Sequence, residues 1–486
     1  MDEASASSGG AAAPAATATS PALRRGTLGL QHAIVISVAV MSPAASIFFN
    51  TIPQAQLVGA AIPLCYVIGF VVALVVANQY SEFSRELPSS GSAYTFVSEG
   101  LGPRWGFLTG WIGLIAIALG VPYSFVLMSA NLQTLMQRWF DVQAPWSVYF
   151  VGAIGVVFAL CYIGIRGSLR VDMTLLIFEI GICVALAVIV LTQVGSQGGL
   201  SGAPFDPATT PPGGDLIVGV VLGVLSFIGF ETAAALGEET RAPHHNIPRA
   251  VYGSMVVVGV FYVLMAYAAT VGYGIPHMAT GYGNDPAPFD SIARKFSGGT
   301  LAAFIDLAGV LSFFGAALAI VNGGARIIFT LGRDGLFPRA LGWAHPTRGT
   351  PGVAIAMLCG LGLVSGLALN AAMSPIIAFG FLGTLDALFV LLIYVLVNVA
   401  CIRFFWLKRR ERFNLARHAI IPSLGVLITG GIASLALISP GDAPLSYIPA
   451  VVGVWLALGL VVILFMRDKL NTAGRTPILP PDASAS

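Results

Sequence analysis

Long apolar runs, each separated from the next by a short charged or Gly/Pro-rich break, dominate the chain. They fall at about 29–55, 58–81, 104–136, 147–165, 169–194, 215–239, 248–275, 299–331, 352–371, 375–404, 418–438 and 445–466. Each approaches or exceeds the roughly 20 apolar residues that one helical crossing of a bilayer needs. The runs are unbroken rather than alternating with period two, which excludes an outer-membrane barrel. The pattern predicts an all-α integral membrane protein with twelve transmembrane helices. The first and sixth runs are the least uniform.

Composition agrees and narrows the class. Of 486 residues, 56% are apolar and 9% are charged, against about 25% charged in an ordinary soluble domain. A soluble enzyme and a disordered scaffold are both excluded. The net charge of +2 gives no reason to expect nucleic acid as a partner. The placement of the basic residues is more informative. With the N-terminus in the cytoplasm, 21 of the 24 Lys and Arg fall on the inside, and only Arg138, Arg294 and Lys295 fall outside. Cytoplasmic loops carry such an excess, so the count of twelve and the orientation support each other. Both termini are expected in the cytoplasm of a plasma membrane, a bacterial inner membrane by this reading. The loops 195–214 and 276–298 are expected outside, and the basic link 403–417 inside, as a topology anchor. Residues 1–23 and 471–486 read as disordered tails. The first has no signal-peptide pattern.

No enzyme motif is present: no P-loop, no GxSxG elbow and no HExxH helix. The five cysteines lie inside apolar runs, as small packing residues do. The six histidines do not cluster at metal spacing. Gly219 to Gly223 forms a GxxxG match that close helix packing explains. No cofactor or metal is expected.

Charges at membrane depth carry more information, because each costs about 2.5–3.5 kcal/mol at a helix centre on insertion scales. Setting aside loop and end positions leaves Glu179, Glu231, Asp306 and Asp386, with no Lys or Arg deep in any run to pair with them. Glu179 lies about 15 Å from the inner end of its run, near the midplane. Burial there favours the neutral acid. Such a carboxyl is either a proton carrier or a protonated structural group. Glu231 follows Gly229 in SFIGFETAAALGEET (Ser226 to Thr240), where the helix either unwinds or simply ends early. In the first run, Pro43 sits among Ser42, Ala44, Ala45 and Ser46, and proline removes a helical hydrogen bond. A Pro kink without a site is the alternative there. Interrupted helices at matching places in two halves point to a transporter site. Their half-helix N-termini suit an anionic group, and freed carbonyls suit a cationic one. Asp306 is expected in an outer vestibule and Asp386 deeper.

Four segments resemble the amino acid/polyamine/organocation (APC) permeases. They are Ser89 to Trp111, Phe227 to Ala250, Asn322 to Gly342 and the broken first run. The resemblance covers nearly all of 24–470. It implies a five-plus-five inverted-repeat core over 24–404, with helices eleven and twelve at 405–470 outside it. It also implies a substrate held between helices one and six, and commonly proton-coupled uptake. Many members have Gly-x-Gly-Ile-Phe where this chain has Ala44 to Phe48, so Ala44 and Ser46 replace both glycines. Several members have lysine at the position of Glu179. Glu231 falls where an acid or small polar residue often lies beside a bound amine.

The expectation is therefore a proton-coupled amino acid symporter in the lipid bilayer, with a polyamine or other organic cation as the alternative substrate. The expected substrate site is Ser42, Pro43, Ala44, Ala45, Ser46 and Ile47 with Phe227, Ile228, Gly229, Phe230, Glu231 and Thr232. Glu179 is the expected proton-coupling residue. A sensor, a membrane enzyme and a channel are the competing classes. Short loops, the missing catalytic cluster and the paired interruptions count against them in turn.

Overall fold

The computed structural model describes Leu23, residues 25–438, residues 443–466 and Leu470. Apart from Leu23, the predicted tails 1–23 and 471–486 lie outside the described residues. Among the described residues fifteen α-helices follow one another: α1 Leu30–Met41, α2 Pro43–Val58, α3 Ile62–Glu86, α4 Ala93–Leu101, α5 Pro103–Phe140, α6 Trp146–Ile163, α7 Ile165–Ser196, α8 Leu216–Leu225, α9 Pro243–Tyr273, α10 Pro288–Ser297, α11 Gly299–Arg333, α12 Gly352–Ala372, α13 Pro375–Leu407, α14 Ile421–Ile438 and α15 Ile448–Phe465. Among the described residues there is no β-strand, only an isolated bridge between Leu28 and Thr240.

Local chemistry sets many of these boundaries. Helices α2, α5, α9, α10 and α13 each open on a proline, whose missing N–H costs nothing in the first turn. The Asp215 carboxylate caps α8 by accepting from the Val218 amide at 3.0 Å, as an N-cap residue does. Gly164, at φ +156°, separates α6 from α7.

Eleven described segments are long and apolar enough to cross a membrane. The first, Leu30–Glu86, has 57 residues. As one straight helix it would run about 86 Å, far beyond the roughly 30 Å of a bilayer core. It is broken at Ser42 and again at the 3-10 turn Gly59–Ala61, and it contains the first two predicted runs. Each of the other ten runs has a segment of its own.

One core joins α1, α2, α3, α8 and α9 to α7, and a second joins α5 and α6 to α11 and α12 around Phe125 and Phe150. Small residues let backbones touch. A Cβ on Gly223 would lie 2.8 Å from the Cys65 carbonyl oxygen of α3, so the GxxxG match is a packing surface. All five cysteines are buried and unpaired. Helix α15 is the least enclosed of the candidate spans, with 17% of its most apolar stretch buried, followed by α6 and α14 at 28% each. A pair of tryptophans fastens α15 to α5. The Trp111 indole donates to the Trp455 carbonyl at 3.0 Å, and the Trp455 indole donates to the Trp111 carbonyl at 3.1 Å. The basic link after α13 is tied to acids: Lys408 to Glu99 at 2.8 Å and Arg409 to Glu86 at 3.1 Å.

Candidate functional site

Two helix breaks meet near the centre of the bundle. Helix α1 ends at Met41, Ser42 turns into the left-handed region (φ 43°, ψ 70°), and α2 restarts on Pro43. Helix α8 ends at Leu225, Gly229 takes φ +119°, and a 3-10 turn continues over Phe230–Leu236. The breaks are in contact: a Cβ on Gly229 would lie 2.5 Å from Val40 Cγ1 and 3.1 Å from the Met41 nitrogen.

Breaking a helix frees backbone groups that must find partners away from water. Tyr262 of α9 supplies one partner to both breaks. Its hydroxyl lies 2.8 Å from the Met41 carbonyl oxygen and 3.0 Å from that of Ser226. The Ser46 hydroxyl also donates to the Met41 carbonyl at 2.8 Å. At the start of α2 the Ala45 amide donates to the Ser312 hydroxyl of α11 at 3.2 Å. The Ser37 hydroxyl of α1 donates to the Phe230 carbonyl at 2.6 Å and accepts from the Ala233 amide at 3.0 Å. This serine joins α1 to the 3-10 turn.

Beside the breaks lies a cavity of about 400 Å³. It extends from Met41 and Ser42 along α2 to Pro53, with α8 on one side and the first turns of α13 on another. Of the expected substrate residues, Ser42, Ser46 and Ile228 line it. Pro43, Ala44, Ala45, Ile47, Phe227, Gly229, Phe230, Glu231 and Thr232 are not on its wall. Several polar residues outside the expected set do line it: Asn50, Tyr123, Ser226, Thr384 and Asp386. Asn50 donates to the Ser226 hydroxyl at 2.9 Å. Among the described residues Asp386 has no hydrogen-bond or ion-pair partner, and no Lys or Arg lines the cavity. The signal for Ser42, Ser46, Asn50 and Pro53 is helical spacing, since residues three and four apart share a face.

Glu231 turns away from the cavity. It accepts from the Gly229 amide at 3.0 Å and from the Tyr394 hydroxyl at 2.7 Å, so its partners are neutral donors. Glu179 is 1% exposed on α7, and neither carboxyl oxygen has a hydrogen-bond partner among the described residues. The Ser312 hydroxyl is its polar neighbour.

Three expectations about charge are corrected. Asp306 is not left without a cation: Arg138 reaches it at 3.2 Å from the far end of α5 and lies 3.8 Å from Asp290. Arg326, counted among the inner basic residues, is 1% exposed within α11. Its guanidinium is paired with Glu239 and donates to the Asn322 carbonyl at 2.6 Å. Asp172, set aside as an end position, is fully buried on α7.

Ion pairs close the face that carries the start of α1. Besides Arg326 and Glu239, Arg333 grips Glu238 with two bonds of 2.9 Å. Burial pushes the Glu238 carboxyl up, but the Arg333 fork and the Ser90 amide at 3.3 Å outweigh it and hold the group below its ordinary value. The cavity extends the other way, toward Pro53 and Ile376. Among the described residues no group of three or more His, Cys, Asp or Glu is arranged for a metal ion.

The arrangement is one of small-molecule carriers, and known proteins agree. Residues 28–478 match the model of a family described as amino acid permease. The chain is 28% identical to the branched-chain amino acid permease BcaP of Bacillus subtilis, over 87% of this chain and 90% of that protein. It is 24% identical to the low-affinity putrescine importer PlaP of Escherichia coli, over 84% and 88%. A methylthioribose transporter of Bacillus subtilis matches at 25% identity, over 84% and 86%. These relatives are transporters rather than enzymes. The chain belongs to the amino acid permease family, within the APC superfamily.

Proposed function

We propose that the chain is a secondary active transporter that takes up an amino acid across the plasma membrane, coupled to protons through Glu179. The cavity at the two helix breaks carries this reading. Its volume of about 400 Å³ lies within the range of small-molecule sites, about 300–1,000 Å³. The cavity lies on one side of the breaks, and the Arg326–Glu239 and Arg333–Glu238 ion pairs lie on the other. That asymmetry fits a carrier caught with access from one side.

In this reading the 57-residue first segment makes two crossings, which brings the total to twelve with both termini cytoplasmic. Residues 24–404 form the inverted-repeat core, and 405–470 add the two outer helices. Ser42, Ser46 and Ile228 contact substrate directly, and the other expected residues of the two breaks shape the backbone around it. A substrate amine lies toward Asp386 on the cavity wall. The two similar relatives named for a branched-chain amino acid and for putrescine support a substrate that bears an amine.

One observation favours a second substrate class. The cavity wall has a carboxyl group without a partner among the described residues, Asp386, and no cation to receive a substrate carboxylate. A polyamine or other organic cation suits that wall. Uptake of labelled leucine and labelled putrescine into proteoliposomes, with and without an inward pH gradient, separates the readings. Accumulation of leucine that responds to the gradient and is lost in Glu179→Gln supports the first. Putrescine uptake that leucine does not inhibit and Asp386→Asn abolishes replaces it with the second. Flux at channel rates, or none for either probe, refutes both.

A further inference from the structure

Helices α7 and α11 run side by side in opposite directions, and a polar seam lies between them. On α7, Ser168, Asp172 and Glu179 are spaced by four and seven residues, which places them on one face. On α11, Ser312, Gly315 and Asn322 face them: a Cβ on Gly315 would lie 3.6 Å from Asp172 Oδ1. Asn322 donates to the Ser168 hydroxyl at 2.9 Å.

Asp172 is 0% exposed, and neither of its carboxyl oxygens has a hydrogen-bond partner among the described residues. The same holds for both oxygens of Glu179 and for Oδ1 of Asn322. An ionised carboxylate buried without a partner is far more costly than a neutral one. Among the described residues no hydrogen bond or ion pair uses the Asp172 carboxyl, and an apolar side chain would fill its place at lower cost.

We propose that Asp172 is a second proton-carrying residue, forming with Glu179 a relay along the α7–α11 seam toward the Arg326–Glu239 pair. This rests on the reading of Glu179 as the coupling residue. The two carboxyls stand two helical turns apart, about 10.5 Å along the axis, so the proton crosses between them through water admitted as the helices part. Opening of the face closed by Arg326 and Glu239 lets Asp172 release its proton to water there. The Asp172 carboxylate then takes the proton held by Glu179, and Glu179 is left charged to accept the next one from the cavity side. One proton enters and one leaves per cycle.

Few other titratable or charged groups face the pair. Cys161 of α6 senses both Asp172 and Arg326 of α11. Tyr262 of α9 and Cys183 of α7 sense Glu179. The basic residues at the start of α7, Arg166 and Arg170, act on His32 of α1.

The test uses full-length protein in proteoliposomes with labelled leucine and putrescine as probes. Two readouts are taken: accumulation driven by a pH gradient, and counterflow exchange without one. Each coupled proton supports about tenfold accumulation per pH unit. Asp172→Asn is expected to lose that accumulation and its pH dependence while keeping exchange. Asp172→Asn that accumulates probe as the parent does overturns the relay. A parent that ignores the gradient sinks the coupling reading itself, and a Glu179→Gln protein with full accumulation sinks the role of Glu179. If Asp172→Asn also loses exchange, Asp172→Glu is used instead. A shifted pH midpoint of accumulation then supports the relay, and an unshifted one overturns it.

Discussion

Replacing Gly229 with alanine tests the claim that the two helix breaks are built around one close contact. Two costs apply. The backbone at φ +119° suits glycine, and holding another residue in such a region costs about 1–3 kcal/mol. The added methyl would stand 2.5 Å from Val40 Cγ1 and 3.1 Å from the Met41 nitrogen. Val40 is held between the cavity and the core, and overpacking of that kind costs about 1–3 kcal/mol. The sum is about 2–6 kcal/mol, enough to lower the folding equilibrium constant at least tenfold. The five cysteines are buried and free, so a thiol-reactive fluorogenic dye reports unfolding of the detergent-solubilised protein directly. Gly360→Ala is the control. A Cβ there meets nothing within 4 Å in the middle of α12, and alanine is about 1 kcal/mol better than glycine inside a helix. The expected result is a lower melting temperature for Gly229→Ala and an equal or higher one for Gly360→Ala. If both variants melt with the parent, the breaks are not in contact as described and the reasoning fails.

Two further predictions concern the closed face. Arg326→Gln leaves Glu239 buried without its cation and should cost about 3–5 kcal/mol, read in the same dye assay. Pairing it with Glu239→Gln should restore part of the loss, and no restoration would mean that the pair is not the source. The Glu238 carboxyl is held below its ordinary value of 4.5 once the Arg333 fork and Ser90 amide have overcome its burial. Its folded value being the lower one, its contribution is complete above the unfolded value and is lost as pH falls through the folded one. Melting temperature followed downward from neutral pH should therefore drop more steeply in the parent than in Glu238→Gln, and parallel curves would contradict the assignment.

The helical segments were legible because lipid leaves little choice: long apolar runs must satisfy their backbones internally. The breaks were legible for the same reason in reverse. Pro43 and Gly229 are residues that a buried apolar helix has little use for unless its path changes there. The cavity wall was harder. The expected site took six consecutive residues from each break, but a helix turns only every third or fourth residue to one side. Ser42 and Ser46 therefore line the cavity while Ala44 and Ala45 do not, and Asn50, one turn on from Ser46, was passed over. Asp386 had been left without a role, and it lines the cavity wall. Asp306 finds Arg138 across 168 residues of chain, a contact that no local pattern encodes. Asp172 and Arg326 were missed because each lies near the end of an apolar run, where a charge looks solvated. Depth in a bundle depends on what packs around a residue as well as on its distance from the helix end.

The bonds between α1 and the segment after Gly229 have a mechanical consequence. The Thr27 and Leu28 amides donate to the Glu239 carbonyl at 2.8 and 3.0 Å, and the Arg241 amide donates to the Leu28 carbonyl at 2.8 Å. The Ser37 hydroxyl adds its two bonds to Phe230 and Ala233. At about 0.5–1.5 kcal/mol net apiece, pulling the two half-helices apart would forfeit about 2.5–7.5 kcal/mol. Their helices break at Ser42 and Gly229, and Gly229 packs against Val40 and Met41 beside the first break. Five bonds thus tie the two half-helices to each other, and labels placed on either should report the same displacement whenever one of them moves.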